Sequence, residues 1–340
     1  MNTFDEYSLK SMKLKNKIVM PPMCMYSANN LGIANDFHFT HYTTRALGGV
    51  GFIIMEATGI SENGRISDSD LGIWDDSHID GLKKIVDAVK AYGSKIAIQI
   101  NHAGRKYEGK SGKIVAPSAI GFNENSKLPI ELSKDEIKEI ILAFKTAAIR
   151  ANKAGFDALE VHGAHGYLIH QFLSPLSNLR EDEYGKTLEN RTRFLKEILV
   201  SIKEVWPADK PLILRVSATD YVEGGIDIKE MVKIINIIKP YVDIVDVSSG
   251  GLVPAKINIF PGYQIKLAEE IKGQCKLPVI TVGLITEVNM VEEILSNNRA
   301  DLVALGRELL RNPFWVLNCA KEKKGSITLP KQYERAFPME

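Results

Sequence analysis

Two imidazoles and a phenol stand together where an apolar run ends. In ALEVHGAHGYLIHQF, residues 158–172, His162, His165 and Tyr167 are separated only by Gly163, Ala164 and Gly166. Two histidines three apart suggest a metal, but the helical zinc pattern His-Glu-x-x-His and a third ligand are missing from this stretch. A lone histidine is usually a satisfied polar residue. A pair flanked by glycines that break the strand can instead turn both rings toward one substrate oxygen and donate N–H bonds to it. Tyr167, with an ordinary pKa of about 10, carries a proton at neutral pH. The pattern predicts an oxyanion-stabilising pair beside a proton donor.

Other polar residues interrupt apolar runs late: Cys24, Gln99, His102 and Arg215. An arginine inside an apolar strand must find an anion or a partner, whereas Cys24 and Met23 read on their own as packing. Lys17 and Lys95 sit at strand beginnings, which disfavours Schiff-base chemistry at the opposite ends. In TVGLIT and ALGREL, Gly283 and Gly306 admit close backbone approach to an anion, and Arg307 adds a fixed charge with bidentate geometry.

Positioning these groups requires parallel strands that all end at one face. Eight nearly continuous apolar runs begin at 17, 50, 95, 157, 211, 243, 277 and 301, as strands covered on both faces must. Between them lie amphipathic segments. One opens at Ser133 with Glu136 three residues on, a capping box, and repeats Ile137, Ile141, Phe144 and Ala148 at helical spacing. Eight such units with right-handed crossovers predict an α/β fold, a (β/α)8 barrel in one domain over 1–340; an open doubly wound sheet is the alternative. Barrel enzymes place catalytic groups at the C-terminal ends of strands, and phosphate commonly binds after strands seven and eight. The segment 104–132 is the longest without periodicity and is expected at the barrel mouth.

With 43 basic and 42 acidic residues among 340, the net charge of +1 provides no field for nucleic acid or an anionic membrane, so a small-molecule substrate is expected. Cys24, Cys275 and Cys319 are too few and too scattered for a disulfide framework and fit a reducing cytoplasm. The start MNTFDEYSLK lacks the pattern of a signal peptide, and no apolar run is long enough to span a bilayer.

Ordered phrases from end to end, among them PPMCMYS, SKIAIQINHAGRK, EVHGAHGYLIHQFLSPLSNLREDEYG, LILRVSATDY, DIVDVSSGG and LGRELLRNP, resemble the Old Yellow Enzyme family of FMN-dependent ene-reductases, most closely its short bacterial NADPH dehydrogenases. The resemblance implies noncovalent FMN, with Pro22, Met23, Cys24, Ala57, Gln99 and Arg215 around its ring system and Gly283, Gly306 and Arg307 on its phosphate. It also implies that Tyr26, His162 and His165 hold a substrate carbonyl and that Tyr167 protonates the α carbon after hydride reaches the β carbon. NADPH, or NADH, would be the reductant and an activated alkene the acceptor. One departure is Pro21, which has no N–H to donate where relatives often carry serine or alanine.

Rival readings are a dienoyl-CoA reductase-like barrel, whose iron–sulfur cysteine motif is missing, a tRNA-modifying flavin barrel, and a flavin-binding module without turnover. Arg105 and Lys106 are candidate contacts for dinucleotide phosphates. The segment 326–340 holds Tyr333, Arg335 and Phe337; in relatives a similar element carries an arginine into a neighbouring subunit's site, which implies a homodimer or homotetramer sharing Arg335.

Overall fold

A computed structural model describes residues 3–110, 112–323, 325 and 327–336. Eight parallel strands close into a barrel in which each pairs with its neighbours in sequence and the last pairs with the first. They are β1 (Ile18–Met20), β2 (Phe52–Gly59), β3 (Lys95–Asn101), β4 (Ala158–Gly163), β5 (Leu212–Ser217), β6 (Ile244–Ser248), β7 (Val279–Thr281) and β8 (Leu302–Ala304). All eight expected runs are strands of the barrel. β1 stops before Pro21 and Pro22, which have no N–H for the ladder.

The helices α1 (Asp36–Leu47), α2 (Ile79–Ala91) and α3 (Lys134–Lys153) follow the first three strands. A short α4 (Leu168–Leu173) and then α5 (Leu188–Lys203) follow β4. The outer ring closes with α6 (Ile228–Ile238), α7 (Ile265–Cys275), α8 (Val288–Ser296), α9 (Arg307–Arg311) and α10 (Trp315–Glu322). Ser133 caps α3 in a reciprocal box with Glu136, which satisfies two donors the first turn would leave open. None of the described helices is long and apolar enough to cross a membrane.

Alternation along each strand sorts side chains into two compartments. Ile53, Ile96, Leu159, Leu214 and Val245 face the helices in the main core. Phe52, Ile54, Ala97, Ala158, Ile213 and Ile244 fill the barrel interior. An N-terminal hairpin, Tyr7–Leu9 against Met12–Leu14, plugs the bottom by adding Met12 and Leu14 to that interior cluster. The reading of the first ten residues did not anticipate it.

The candidate active site

Two residues further along each strand from the apolar interior layer, the inward positions become polar. Gln99, Glu160, Arg215 and Asp246 all occupy them, and all are buried. Gln99 pairs in register with Glu160, and Arg215 with both His162 and Asp246. Gln99 donates its amide N–H to Glu160 Oε1 at 2.7 Å, which leaves its amide oxygen free of that contact. Arg215 Nε lies 3.0 Å from Asp246 Oδ2 as an ion pair without hydrogen-bond alignment, and Arg215 Nη1 reaches the Pro22 carbonyl at 3.5 Å. Burial raises the Asp246 carboxyl, and the Arg215 charge opposes that shift. Burial, and after it the Asp246 charge, drives the Glu160 carboxyl well up. The sequence reading missed Glu160 and Asp246, although a charge at even spacing inside an apolar strand is a visible signal.

Ala57 joins this layer through a β-bulge. Met55 pairs with Ile98 and Ala57 with Gln99, so Glu56 is the extra residue on β2 and turns out of the barrel interior. Its carboxylate accepts from the Met25 N–H at 2.8 Å and the Tyr42 hydroxyl at 3.0 Å, which ties the segment after Cys24 to α1. Burial pushes this carboxyl up to about 7, against those hydrogen bonds. A carboxyl raised in the folded state is stabilised at low pH and loses that contribution as pH rises through its folded pKa. The wild type should therefore lose up to about 3 kcal/mol between pH 5 and 8 from this group, and Glu56→Gln should flatten that part of a melting-temperature profile. An identical pH slope in the variant would remove Glu56 as its source.

Cys24 is half-buried and packs with Tyr167 against Ala57, Ala103 and Tyr107. Burial pushes its thiol up to about 12, so it is a neutral hydrogen-bond donor at physiological pH. Tyr26, at φ 51°, is exposed at the rim.

The opening stretch forms the opposite wall. His162, the penultimate residue of β4, has Nδ1 accepting the Ala164 N–H at 3.3 Å, so its Nε2 carries the proton. His165 takes a left-handed backbone, φ 56°, held by its N–H on Ser217 Oγ and its carbonyl under Lys106 Nζ. The strain is local and anchored from both sides. His165 Nδ1 stands 3.4 Å from His162 Nε2, and His165 Nε2 stands 2.7 Å from Ser248 Oγ. Burial first, and then neighbouring positive charge, holds both rings well below the usual histidine range, so both are neutral. Gly166 has no side-chain room, since a Cβ would come within 2.2 Å of the Gly251 carbonyl. Tyr167 then caps α4 with its ring edge-on to His162, centroids 4.9 Å apart. Burial, followed by Cys24, Tyr26 and Asp70, raises its hydroxyl well above the ordinary phenol value.

From segment 104–132, Tyr107 and Ile114 pack with Cys24 and Tyr167, and Arg105 and Lys106 turn inward. The Arg105 guanidinium donates to the carbonyls of Ile120, Gly121 and Leu252 and so staples the loop to the segment after β6. Lys106 donates to the His165 and Gly251 carbonyls and lies over the rings of Phe122 and Tyr167. Both side chains are thus engaged with scaffold carbonyls, while Arg105 Nε is buried without a partner.

Beyond β7 and β8, Gly283 takes φ 140° and Gly306 precedes α9 with only Met23 and Pro21 atoms near its absent Cβ. Arg307 is exposed, and the adjacent Glu308 is taken by Arg311 at 2.6 Å. Among the described residues no cluster suits a metal ion. The tail is elsewhere: Thr328 to Gln332 face Lys15, Gly49 and Gly93, which precede strands, and Arg335 is exposed. Phe337 lies outside the described residues.

Residues 3–325 match the family model of NADH:flavin oxidoreductases / NADH oxidases. The chain is 68% identical over 338 residues to an NADPH dehydrogenase of Clostridium acetobutylicum, covering 99% of this chain and 100% of that one. Among solved structures it is similar to 2-naphthoyl-CoA reductase, with TM-score 0.89 and 26% identity over 95% of this chain, but it spans only 52% of that protein. Morphinone reductase in complex with tetrahydroNAD is similar with TM-score 0.81 and 28% identity, covering 97% of this chain and 93% of that one.

Proposed function

The chain belongs to the NADH:flavin oxidoreductase / NADH oxidase family, that of Old Yellow Enzyme, and is an FMN-dependent NAD(P)H oxidoreductase; on that premise we propose that it reduces activated carbon–carbon double bonds. Enones, enals, maleimides and nitroalkenes are its substrate class. The observation that supports this reading is the convergence of His162 Nε2 and His165 Nδ1, 3.4 Å apart, beside Tyr167. Two neutral imidazoles so placed can hold one oxygen atom, and an isolated alkene has none to offer.

The residues fit FMN. The Arg215 guanidinium in the polar layer meets Asp246 only as an ion pair without hydrogen-bond alignment, and Gly306 leaves space before an exposed Arg307. Bound there, FMN supplies hydride transfer from NAD(P)H to the β carbon of the alkene. In this reading Pro22, Met23, Cys24, Ala57 and Gln99 surround the ring, and Arg215 gives the pyrimidine side its positive charge. Gly283, Gly306 and Arg307 hold the phosphate. Tyr26 covers the substrate from the rim, His162 and His165 draw electron density from its carbonyl, and the raised Tyr167 hydroxyl keeps its proton until the α carbon needs it. Exclusion of water falls to the apolar cluster around Ala103 and Tyr107.

A yellow protein that bleaches anaerobically with NADPH and recovers its colour on adding cyclohexenone is the expected result. Bleaching without recovery by any activated alkene would refute the substrate class. Arg307→Ala should weaken FMN retention about ten- to hundred-fold, the worth of charge-assisted hydrogen bonds, as measured by flavin loss on gel filtration. Full occupancy through dilution would reassign the phosphate site.

The reading extends to assembly. With the tail against the N-terminal face and Arg335 exposed, a homo-oligomer in which Arg335 enters a partner's mouth gives that guanidinium a function. Mixing Arg335→Ala and Tyr167→Phe proteins under subunit exchange should restore activity above both parents, because one site then regains both groups. Exchange without recovery would exclude sharing.

A further inference from the structure

A neutral imidazole carries a single N–H, so whether His165 helps to hold an oxygen depends on which nitrogen bears it. The Ala164 N–H fixes His162 as the Nε2–H tautomer. If His165 carried its proton on Nε2, its Nδ1 would accept from His162 at 3.4 Å and the pair would close on itself. If it carries the proton on Nδ1, both N–H groups face the same space. The surroundings of Ser248, at the end of β6, decide between the two.

Gln264 donates its amide N–H to the Val282 carbonyl at 3.1 Å, which points Oε1 at the two serines. Ser249 donates to that oxygen at 2.5 Å and is itself engaged by the Tyr221 hydroxyl at 2.9 Å. The Ser248 hydroxyl then has two acceptors in reach: Gln264 Oε1, which also accepts from Ser249 and lies 3.3 Å away, and His165 Nε2 at 2.7 Å. The nearer acceptor takes the hydroxyl proton. We infer that Ser248, oriented by the Tyr221, Ser249 and Gln264 chain, donates to His165 Nε2 and thereby keeps the His165 proton on Nδ1, facing the substrate oxygen with the His162 N–H. Ser248 is a positioning residue, since it acts through His165. The inference rests on the reading of His162 and His165 as the oxygen-holding pair and adds the device that aims the second donor.

The test reads the tautomer directly. Holoenzyme labelled with 15N-histidine gives long-range proton–nitrogen correlations that distinguish protonated from unprotonated ring nitrogens, and His165→Gln identifies the His165 signals. The wild type should show protonated Nδ1 and unprotonated Nε2 at His165. Ser248→Ala should move the proton to Nε2, and Ser248→Thr, which keeps the hydroxyl, should restore the wild-type pattern. In Ser248→Ala, flavin reduction by NADPH should be unchanged while kcat for cyclohexenone falls about ten- to hundred-fold. Protonated Nε2 in the wild type, or an unmoved proton in Ser248→Ala, would overturn the assignment. An Nδ1 proton held by Ser248 in a protein that reduces no activated alkene would leave the tautomer assignment standing and refute the substrate reading instead.

Discussion

Replacing Tyr167 by phenylalanine is expected to leave flavin reduction by NADPH near wild type and to slow reoxidation by cyclohexenone roughly 10²–10⁴-fold, the range for losing a positioned general acid. The substitution isolates one atom. The ring packs edge-on to His162 and against the cluster of Ala57, Ala103 and Tyr107, and phenylalanine keeps those contacts. Backbone placement is also insulated, because the turn is set by Gly166 against the Gly251 carbonyl and by the Tyr167 N–H on Ala164. Stability should therefore change little. The raised hydroxyl pKa adds a second expectation: reoxidation in the wild type should show no loss of rate up to about pH 9, because the phenol stays protonated past its ordinary value of about 10. Stopped-flow measurement of the two half-reactions checks both. Unchanged reoxidation in Tyr167→Phe would show that water or another residue delivers the proton.

How much of this site was readable beforehand follows from what each residue does locally. The eight strands are legible because a parallel strand covered on both faces has to be apolar. The placement of His162, His165 and Tyr167 where β4 ends is legible because glycines beside polar residues mark a chain leaving a strand. Glu160 and Asp246 follow the same two-residue alternation as Ala158 and Ile244, so their inward aim was available and overlooked. Glu56 was not legible, since only the bulge that brings Ala57 into line with Gln99 turns it toward Tyr42 and Met25. The hairpin plug hides for another reason: Met12 and Leu14 make too short an alternation to stand out. Arg105 shows the limit of local patterns. Nothing in HAGRK separates a guanidinium in solvent from one caged by carbonyls of Ile120, Gly121 and Leu252, because two of those lie fifteen or more residues away and the third more than a hundred. Ser248 carries no signal at all in sequence, as its role arises from contacts across β4, β6 and the segment before α7.

Arg215→Met is expected to damage the protein in two separable ways, because this side chain pairs with Asp246 and, in the proposed site, also faces the reduced flavin. Its fixed partner is Asp246, an interior carboxylate that is fully buried and whose charge helps to raise the Glu160 carboxyl. Removing one member of a buried pair leaves the other uncompensated, at about 3–5 kcal/mol. Asp246 can relieve part of that by binding a proton, so its pKa, already raised by burial, rises further once Arg215 is gone. With the folded pKa raised, the protonated form is the stable one, and stability is lost as pH increases. The variant should thus melt several degrees lower than wild type at pH 8 and recover part of the gap at pH 5, and Arg215→Met with Asp246→Asn should recover it at both. The second loss does not recover. With the positive charge removed from beside the proposed pyrimidine edge, the bound flavin should become harder to reduce by tens of millivolts, since unit charges near 4 Å interact by about 4 kcal/mol at an effective dielectric of 20 and about 1.4 kcal/mol corresponds to 30 mV for two electrons. The double variant keeps that lowered potential while regaining the fold. Arg215→Lys lies between, retaining charge but losing the planar fork. If the double variant returns to the wild-type potential, Arg215 is a partner for Asp246 and nothing more, and the charge that stabilises reduced flavin must come from another side chain.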